Sequence, residues 1–230
     1  MIDVSLIRGI TLDLDDTLWP VWPAITRAEH MLRQWLGEHA PATAALYSST
    51  TALREIREQV GRERQDLRHD LSELRREAIR RALAHAGEDP ALAVPAFDVF
   101  FAERQRVELF EDVLPALDHL AARFPILALT NGNADVHRIG LGRYFRGTVS
   151  ARDSGFGKPD ARIFQAGAVA LGLHASQVLH VGDDASLDAL GALQAGMQTA
   201  WLNRGEHPWP HPDLPHAEVG DLLELCRLLK

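Results

Sequence analysis

The chain has 230 residues, 46% hydrophobic and 24% charged, with a formal net charge of −8. That balance fits a globular protein large enough for one α/β domain, or for a core with a smaller accessory domain. It gives no support for a nucleic-acid binder, and a small anionic substrate would need a local positive trap. One cysteine, Cys226, excludes an intrachain disulfide and sits in a helix-like setting with no base beside it. No stretch approaches a membrane span and the N-terminus lacks a signal-peptide pattern, so the expectation is no membrane partner and a reducing, cytoplasmic interior.

The first predicted element is a buried strand. In LIRGITLDLDDT, Ile10, Leu12 and Leu14 are apolar, and the character turns acidic from Asp13 to Thr17. In open α/β sheets, ligands bind at such strand ends. From residue 22 to 87 helix formers dominate. Helices are predicted over 25–39, 42–60, 64–86 and 94–106, punctuated by Pro41, Gly61, Gly87 and Pro90. In the first, Ile25, Ala28, Met31, Leu32, Trp35 and Leu36 mark an apolar side, with Trp35 read as core of this segment. The arginines from Arg54 to Arg81 alternate with acids, the pattern of a solvated helix surface.

After residue 108 the pattern alternates. Helix 113–122 leads to strand 125–129, helix 135–141 to a short strand at 147–151, helix 160–171 to strand 177–181, and helix 187–195 to strand 197–202. Repeated βα traffic predicts a parallel sheet. The simplest organisation is a Rossmann-like core, residues 1–18 and 108–230, interrupted by a helical insertion over 19–107. HPWPHPDLPH, residues 207–216, reads as irregular loop, and its histidine spacing fits no compact zinc site.

Four short stretches at strand ends carry candidate chemistry. Asp13 and Asp15 flank one residue, so an extended strand presents both carboxylates to one side, where they repel unless a cation or proton intervenes. Oxygen donors of this kind suit Mg²⁺. Thr130, Asn131 and Gly132 offer a hydroxyl and backbone N–H groups to a phosphate. Lys158, in GFGKPD, can neutralise a phosphate and a nucleophile together. Asp183, Asp184 and Asp188, in VGDDASLD, add carboxylates after a tight turn at Gly182, with Asp184 or Ser186 also suited to cap a helix. Each stretch alone also reads as an ordinary turn, cap or surface lysine.

Their order resembles the haloacid dehalogenase superfamily, whose DxDxT motif matches Asp13, Asp15 and Thr17, whose Ser/Thr motif matches Thr130, whose lysine motif matches Lys158, and whose GDxxxxD motif matches Asp183 and Asp188. The resemblance implies an α/β core with an inserted helical cap of the C1 type. It implies Mg²⁺ as cofactor, with Asp13, Asp15 (through its main-chain carbonyl), Asp183 and Asp188 as metal-site residues. It further implies Asp13 as nucleophile, Asp15 as acid and base, and Thr130 and Lys158 as grips on the phosphoryl group. The family's dehalogenases do not use the acid two positions after the nucleophile, so Asp15 favours a phosphate ester over an alkyl halide. The expected function is phosphomonoester hydrolysis on a small molecule. A phosphomutase and a non-catalytic small-molecule-binding protein are the alternatives, and oligomeric state is left open.

LTNGNADV, LGRYF, GKPD, LHVGDD and GMQTAWLNR are similar to a bacterial group of this superfamily that hydrolyses flavin mononucleotide and the phosphorylated ribitylamino-uracil of riboflavin synthesis. Trp19 and Trp22 offer either an aromatic wall for such a ring or packing of the insertion against the core. Arg54, Arg57 and Arg75 offer either contact with an anionic substrate or surface ion pairs.

Overall fold

A computed structural model describes residues 1–47 and 50–230 of the chain. Strand β1 (Gly9–Leu12) is buried at every position. Among the described residues it is followed by the α-helices α1 (Val21–His39), α2 (Pro41–Leu46), α3 (Thr50–Glu63), α4 (Leu71–His85) and α5 (Ala93–Arg104). Then come α6 (Val113–Ala121), β2 (Ile126–Thr130), α7 (Val136–Ile139), β3 (Phe145–Ser150), α8 (Ala151–Ser154) and α9 (Ala161–Ala170). The chain ends with β4 (Val178–Gly182), a π-helical segment (Ala185–Leu190) running into α10 (Gly191–Gln194), β5 (Gln198–Leu202), β6 (Ala217–Val219) and α11 (Leu222–Leu228).

The chain forms two compact units, one of Met1–Pro20 with Glu108–Lys230 and one of Val21–Val107. The first holds a six-stranded sheet in the order β3-β2-β1-β4-β5-β6. Every pairing is parallel. From β1 the chain builds outward through β2 and β3, then returns to the other side of β1 to lay down β4, β5 and β6. The order therefore reverses at β1, and the crevice at its carboxyl end lies between β2 and β4, where an open α/β sheet places a ligand. Register fixes what meets there: Leu12 sits opposite Ala128 on one side and Val181 on the other. The residues next in line are Asp13, Leu129 with Thr130 beyond it, and Gly182.

Buried strands paired on both edges need apolar side chains on both faces, and β1, β2, β4 and β5 are buried throughout. Two polar exceptions, Thr11 and His180, interrupt β1 and β4, and both are fully buried. Helix α9 packs Ile163, Phe164 and Ala168 with Leu129, Val178 and Met197 in one apolar cluster. In the helical unit the core is built from Ala28, Leu32 and Leu36 of α1, Ile79, Ala82 and Leu83 of α4, and Phe97 and Phe100 of α5. The four-residue spacing on α1 is the signature of one helix face turned inward. Trp35 is half-buried beside this cluster and stacks on His39 at 4.2 Å.

Several boundaries differ from the sequence expectation. The helix expected over 42–60 is met by α2 and α3, with residues 48–49 outside the described residues. Helix α4 begins at Leu71 and not at 64, because Asp70 caps it by accepting the Glu73 N–H at 2.9 Å. Strand β3 starts two residues earlier than expected, at Phe145, and β6 has no counterpart in the sequence reading because three residues carry too little periodicity. Among the described residues, no helix is long and apolar enough to cross a membrane.

Candidate active site

The acidic end of β1 is shaped by its own backbone. Leu12 and Leu14 are fully buried, and Asp13 donates its N–H to the Val181 carbonyl at 2.9 Å, extending the pairing with β4 by one residue. The chain then turns sharply: Leu18 N–H donates to Leu14 and Asp16 N–H to Trp19, both at 2.8 Å. Asp16 occupies the left-handed region with φ of 59°. Asp enters that region more readily than most non-glycine residues, and the two hydrogen bonds of the turn hold it there. The turn aims the Asp15 carboxylate, whose Oδ1 accepts the Trp19 Nε1–H at 2.8 Å. Its Oδ2 lies where a Cβ on Gly132 would come within 2.6 Å, so the β2 loop needs glycine at this close approach.

Three carboxylates converge, with one ligand oxygen each from Asp13, Asp183 and Asp188 lying within 4.8 Å of one another. Lys158 Nζ, almost wholly buried, bridges Asp13 and Asp188, with Asp188 Oδ1 at 2.5 Å. Asp188 is reached through the π-helical turn after β4. Its Oδ2 accepts the Asp184 N–H at 3.1 Å, while Asp184 caps the segment through Ser186 and Leu187, both at 2.8 Å. Gly182 allows this fold-back, since a Cβ there would fall 2.3 Å from the Asp188 carboxyl carbon. Such turns recur at functional sites.

The charge balance follows from burial. Desolvation raises the Asp13 carboxyl well above its ordinary value, Lys158 opposes, and Asp188 and Asp183 push the same way as burial. Burial and the Asp188 charge push Asp183 up to about 7. Asp188 is held at about 2 against the burial penalty, chiefly by Lys158, with help from His180. Burial pulls the Lys158 ammonium down, but the Asp13 and Asp188 charges overcome it and leave it raised. Three clustered carboxylates facing one lysine are short of positive charge. All-oxygen donors with that deficit fit a hard divalent cation such as Mg²⁺.

Other residues singled out in the sequence divide between this cluster and the helical unit. Thr130 is buried and its Oγ1 accepts the Gly132 N–H at 2.9 Å, shaping the loop. The Asn131 amide is committed to the Lys158 main chain, donating to its carbonyl at 2.9 Å and accepting its N–H at 2.7 Å. Its side chain therefore sets the lysine loop. Trp19 is fully buried with its indole N–H on Asp15, which leaves no free ring face for an aromatic wall. Trp22 is 73% exposed and lines a cavity of about 740 Å³ within the helical unit, together with Glu29, Tyr47, Arg57 and Arg75. Arg57 and Arg75 both pair with Glu29, Arg57 at 2.6 Å. Arg54 lies outside the residues whose side chains are described.

Three contributors have roles that a sequence reading does not assign. Thr17 Oγ1 donates to Asp183 Oδ1 at 2.9 Å and accepts the Asp183 N–H at 3.2 Å. Trp201 Nε1–H donates to the Asp183 carbonyl at 2.7 Å. His180 contacts Asp188 Oδ1 at 3.1 Å. The threonine is visible as a motif member; the other two carry no local signal.

A family model described as haloacid dehalogenase-like hydrolase matches residues 7–196. The chain is 32% identical over 231 residues to the 5-amino-6-(5-phospho-D-ribitylamino)uracil phosphatase YigB of Escherichia coli (strain K12), covering 97% of this chain and 96% of that one. It is 34% identical over 157 residues to a phosphoserine phosphatase of Thermus thermophilus, covering 66% of this chain and 63% of the other. Among solved structures, that of a 2-haloacid dehalogenase from Pseudomonas syringae pv. Tomato DC3000 is similar with a TM-score of 0.92 and 41% identity, covering 97% of this chain and 98% of that one.

Proposed function

This chain belongs to the haloacid dehalogenase-like hydrolases, and from that premise we propose that it hydrolyses small phosphate monoesters with Mg²⁺, using Asp13 as the nucleophile. The observation that carries the choice of phosphate is the Asp15 carboxylate. It is present, oriented by the Trp19 indole at 2.8 Å, and packed against Gly132 on the loop that presents Thr130. Attack on a carbon–halogen bond releases halide and needs no proton donor for the leaving group. A departing alkoxide does need one.

In this reading an Asp13 oxygen forms a bond to phosphorus as the ester P–O bond breaks. Asp15 delivers its proton to the leaving oxygen, so the alcohol departs neutral and the phosphoryl group remains on Asp13. Asp15, now a carboxylate, takes a proton from water as that water attacks phosphorus, and Asp13 is released with inorganic phosphate. Lys158 neutralises charge on the transferring oxygens while holding Asp13, and the Thr130 hydroxyl and the loop N–H groups orient them. Asp13 and Asp183, with the Asp15 main-chain carbonyl, would hold Mg²⁺, which supplies charge neutralisation at the phosphoryl oxygens. Asp188, with both oxygens engaged by Lys158, His180 and the Asp184 N–H, supports the site as anchor of the lysine.

For the substrate we propose flavin mononucleotide or a riboflavin-pathway phosphate. The activity named for the Escherichia coli relative, matched over nearly the full length of both chains, supports this. So does the exposed Trp22 on the helical unit's cavity, a surface on which a planar ring can stack. The test is kcat/KM for phosphate release with Mg²⁺ over flavin mononucleotide, ribitylamino-uracil phosphate, nucleotides, sugar phosphates, phosphoserine and phosphoglycolate. A preference of about 100-fold for the first two, ~2.7 kcal/mol of transition-state discrimination, supports the assignment, and a flat profile replaces it with a general phosphatase. EDTA should suppress turnover and Mg²⁺ restore it. The likeness to the Pseudomonas syringae 2-haloacid dehalogenase, at 41% identity, favours a second reading, dehalogenation. Halide release from a 2-haloacid, undiminished in Asp15→Asn, would establish that reading in place of the first.

A further inference from the structure

Histidine is an unexpected choice in the middle of β4, where every other position is apolar or glycine and buried. His180 is fully buried and its register partner in β1 is Thr11, the polar interruption of that strand. The two side chains meet, Thr11 Oγ1 to His180 Nδ1 at 2.9 Å. On the far side of the ring, Nε2 lies 3.1 Å from Asp188 Oδ1, and that same oxygen receives Lys158 Nζ at 2.5 Å. The edge-on Phe164 ring, 5.1 Å away at 82°, fixes the imidazole plane.

The chemistry of the partners orients every proton. An ionised carboxylate only accepts, so Nε2 carries hydrogen and donates to Asp188. In the neutral ring Nδ1 is then a bare acceptor, and the Thr11 hydroxyl donates to it. The chain of bonds runs in one direction, Thr11 to His180 to Asp188, and ends on a carboxylate oxygen that also receives the lysine. With Oδ2 taken by the Asp184 N–H, the Asp188 carboxylate has no rotational freedom left.

We infer that His180, set by Thr11, is a positioning residue that locks Asp188 and through it holds Lys158 against the reacting Asp13. This rests on the phosphoryl-transfer reading above. A leucine would fill much of the same space in β4, but would remove one of the two partners of Asp188 Oδ1 and leave that oxygen held by the lysine without its lateral brace. The histidine therefore acts on the aim of the lysine and not on the substrate, and its loss should appear in kcat more than in KM.

The experiment compares His180→Leu, His180→Gln and Thr11→Val on the full chain, with the phosphate ester the unaltered enzyme turns over best. Glutamine keeps an N–H near the Nε2 position, and valine keeps the threonine shape without its donor. Partners that orient site residues typically contribute ~10–100-fold. The expected result is a kcat loss in that range for His180→Leu with KM within about threefold, and recovery to within about threefold of the parent kcat in His180→Gln. Nitrogen-15 chemical shifts of the imidazole give a readout independent of substrate and of how His180→Leu folds. They should report the Nε2–H tautomer in the parent protein and a shifted Nδ1 in Thr11→Val. An Nδ1–H tautomer, or an unchanged kcat in His180→Leu when the parent enzyme is active, overturns the inference alone. A parent protein that releases no phosphate from any ester overturns the reading beneath it, and the positioning role with it.

Discussion

The sheet unit and the helical unit are both rich in ion pairs, but they use charge in opposite ways. In the sheet unit, Asp13, Lys158, Asp188 and His180 are buried to within a tenth of full occlusion, and each touches the next. In the helical unit, Arg64 pairs with Asp66, Arg81 with Glu63 and Glu77, and Arg62 with Glu58 along solvated surfaces. Buried charge is costly to desolvate, so a cluster that persists there is held for what it does. Surface pairs are weak and interchangeable, and they keep a helical surface soluble. Glu29 is intermediate: burial raises its carboxyl, but Arg75 and Arg57 hold it below the usual range at the rim of the cavity.

Substitutions on the two sides of this contrast should separate by orders of magnitude. The largest effect is expected for Asp13→Asn, which removes the nucleophile: turnover should fall by at least about 10⁴-fold, ~5.4 kcal/mol, with circular dichroism unchanged. Near-normal phosphate release by this variant would remove Asp13 from the mechanism. Next, Asp15→Asn should cost ~10²–10⁴-fold, more for an alkyl phosphate than for an ester with an activated leaving group. An equal loss on both substrates would argue against the proton-transfer role.

Smaller effects test the helical unit. Leu32→Ala opens a cavity among Ala28, Leu36 and Phe97, and should cost ~2–5 kcal/mol of unfolding free energy, read from the denaturant midpoint. A cost below that range would mean the core of this unit collapses to fill the space. Smallest of all, Arg64→Gln removes the solvated pair with Asp66 at 2.7 Å, and should leave both melting temperature and turnover where they were. A drop in either would show that a surface pair of the helical unit does more than solvate it.

The two units also differ in how much of them is legible in advance. Strands β1, β2 and β4 announce themselves as short apolar runs ended by chemistry-bearing residues, and Asp13, Thr130, Lys158 and Asp183 lie at the strand and loop positions expected. The helical unit shows its type, but its boundaries move. Capping by Asp70 sets where α4 starts, and a side chain accepting a backbone N–H leaves no trace in hydrophobic periodicity. Trp19 and Asn131 look like substrate contacts in the sequence because their neighbours carry chemistry. Both side chains are instead committed to protein partners, Asp15 and the Lys158 main chain.

By itself the sequence determined most element types, the parallel α/β class with its helical insertion, and a set of candidate residues for phosphoryl chemistry. These depend on local pattern, on spacing and on side-chain chemistry. Only the tertiary structure decided how those residues are held. Thr17 meets Asp183 across 166 positions of chain, and Thr11 meets His180 across 169. A polar side chain buried in a strand looks like a lapse in the apolar pattern until the register of the parallel sheet supplies its partner. The register is fixed by the pairing of whole strands, which no residue or neighbouring segment encodes alone.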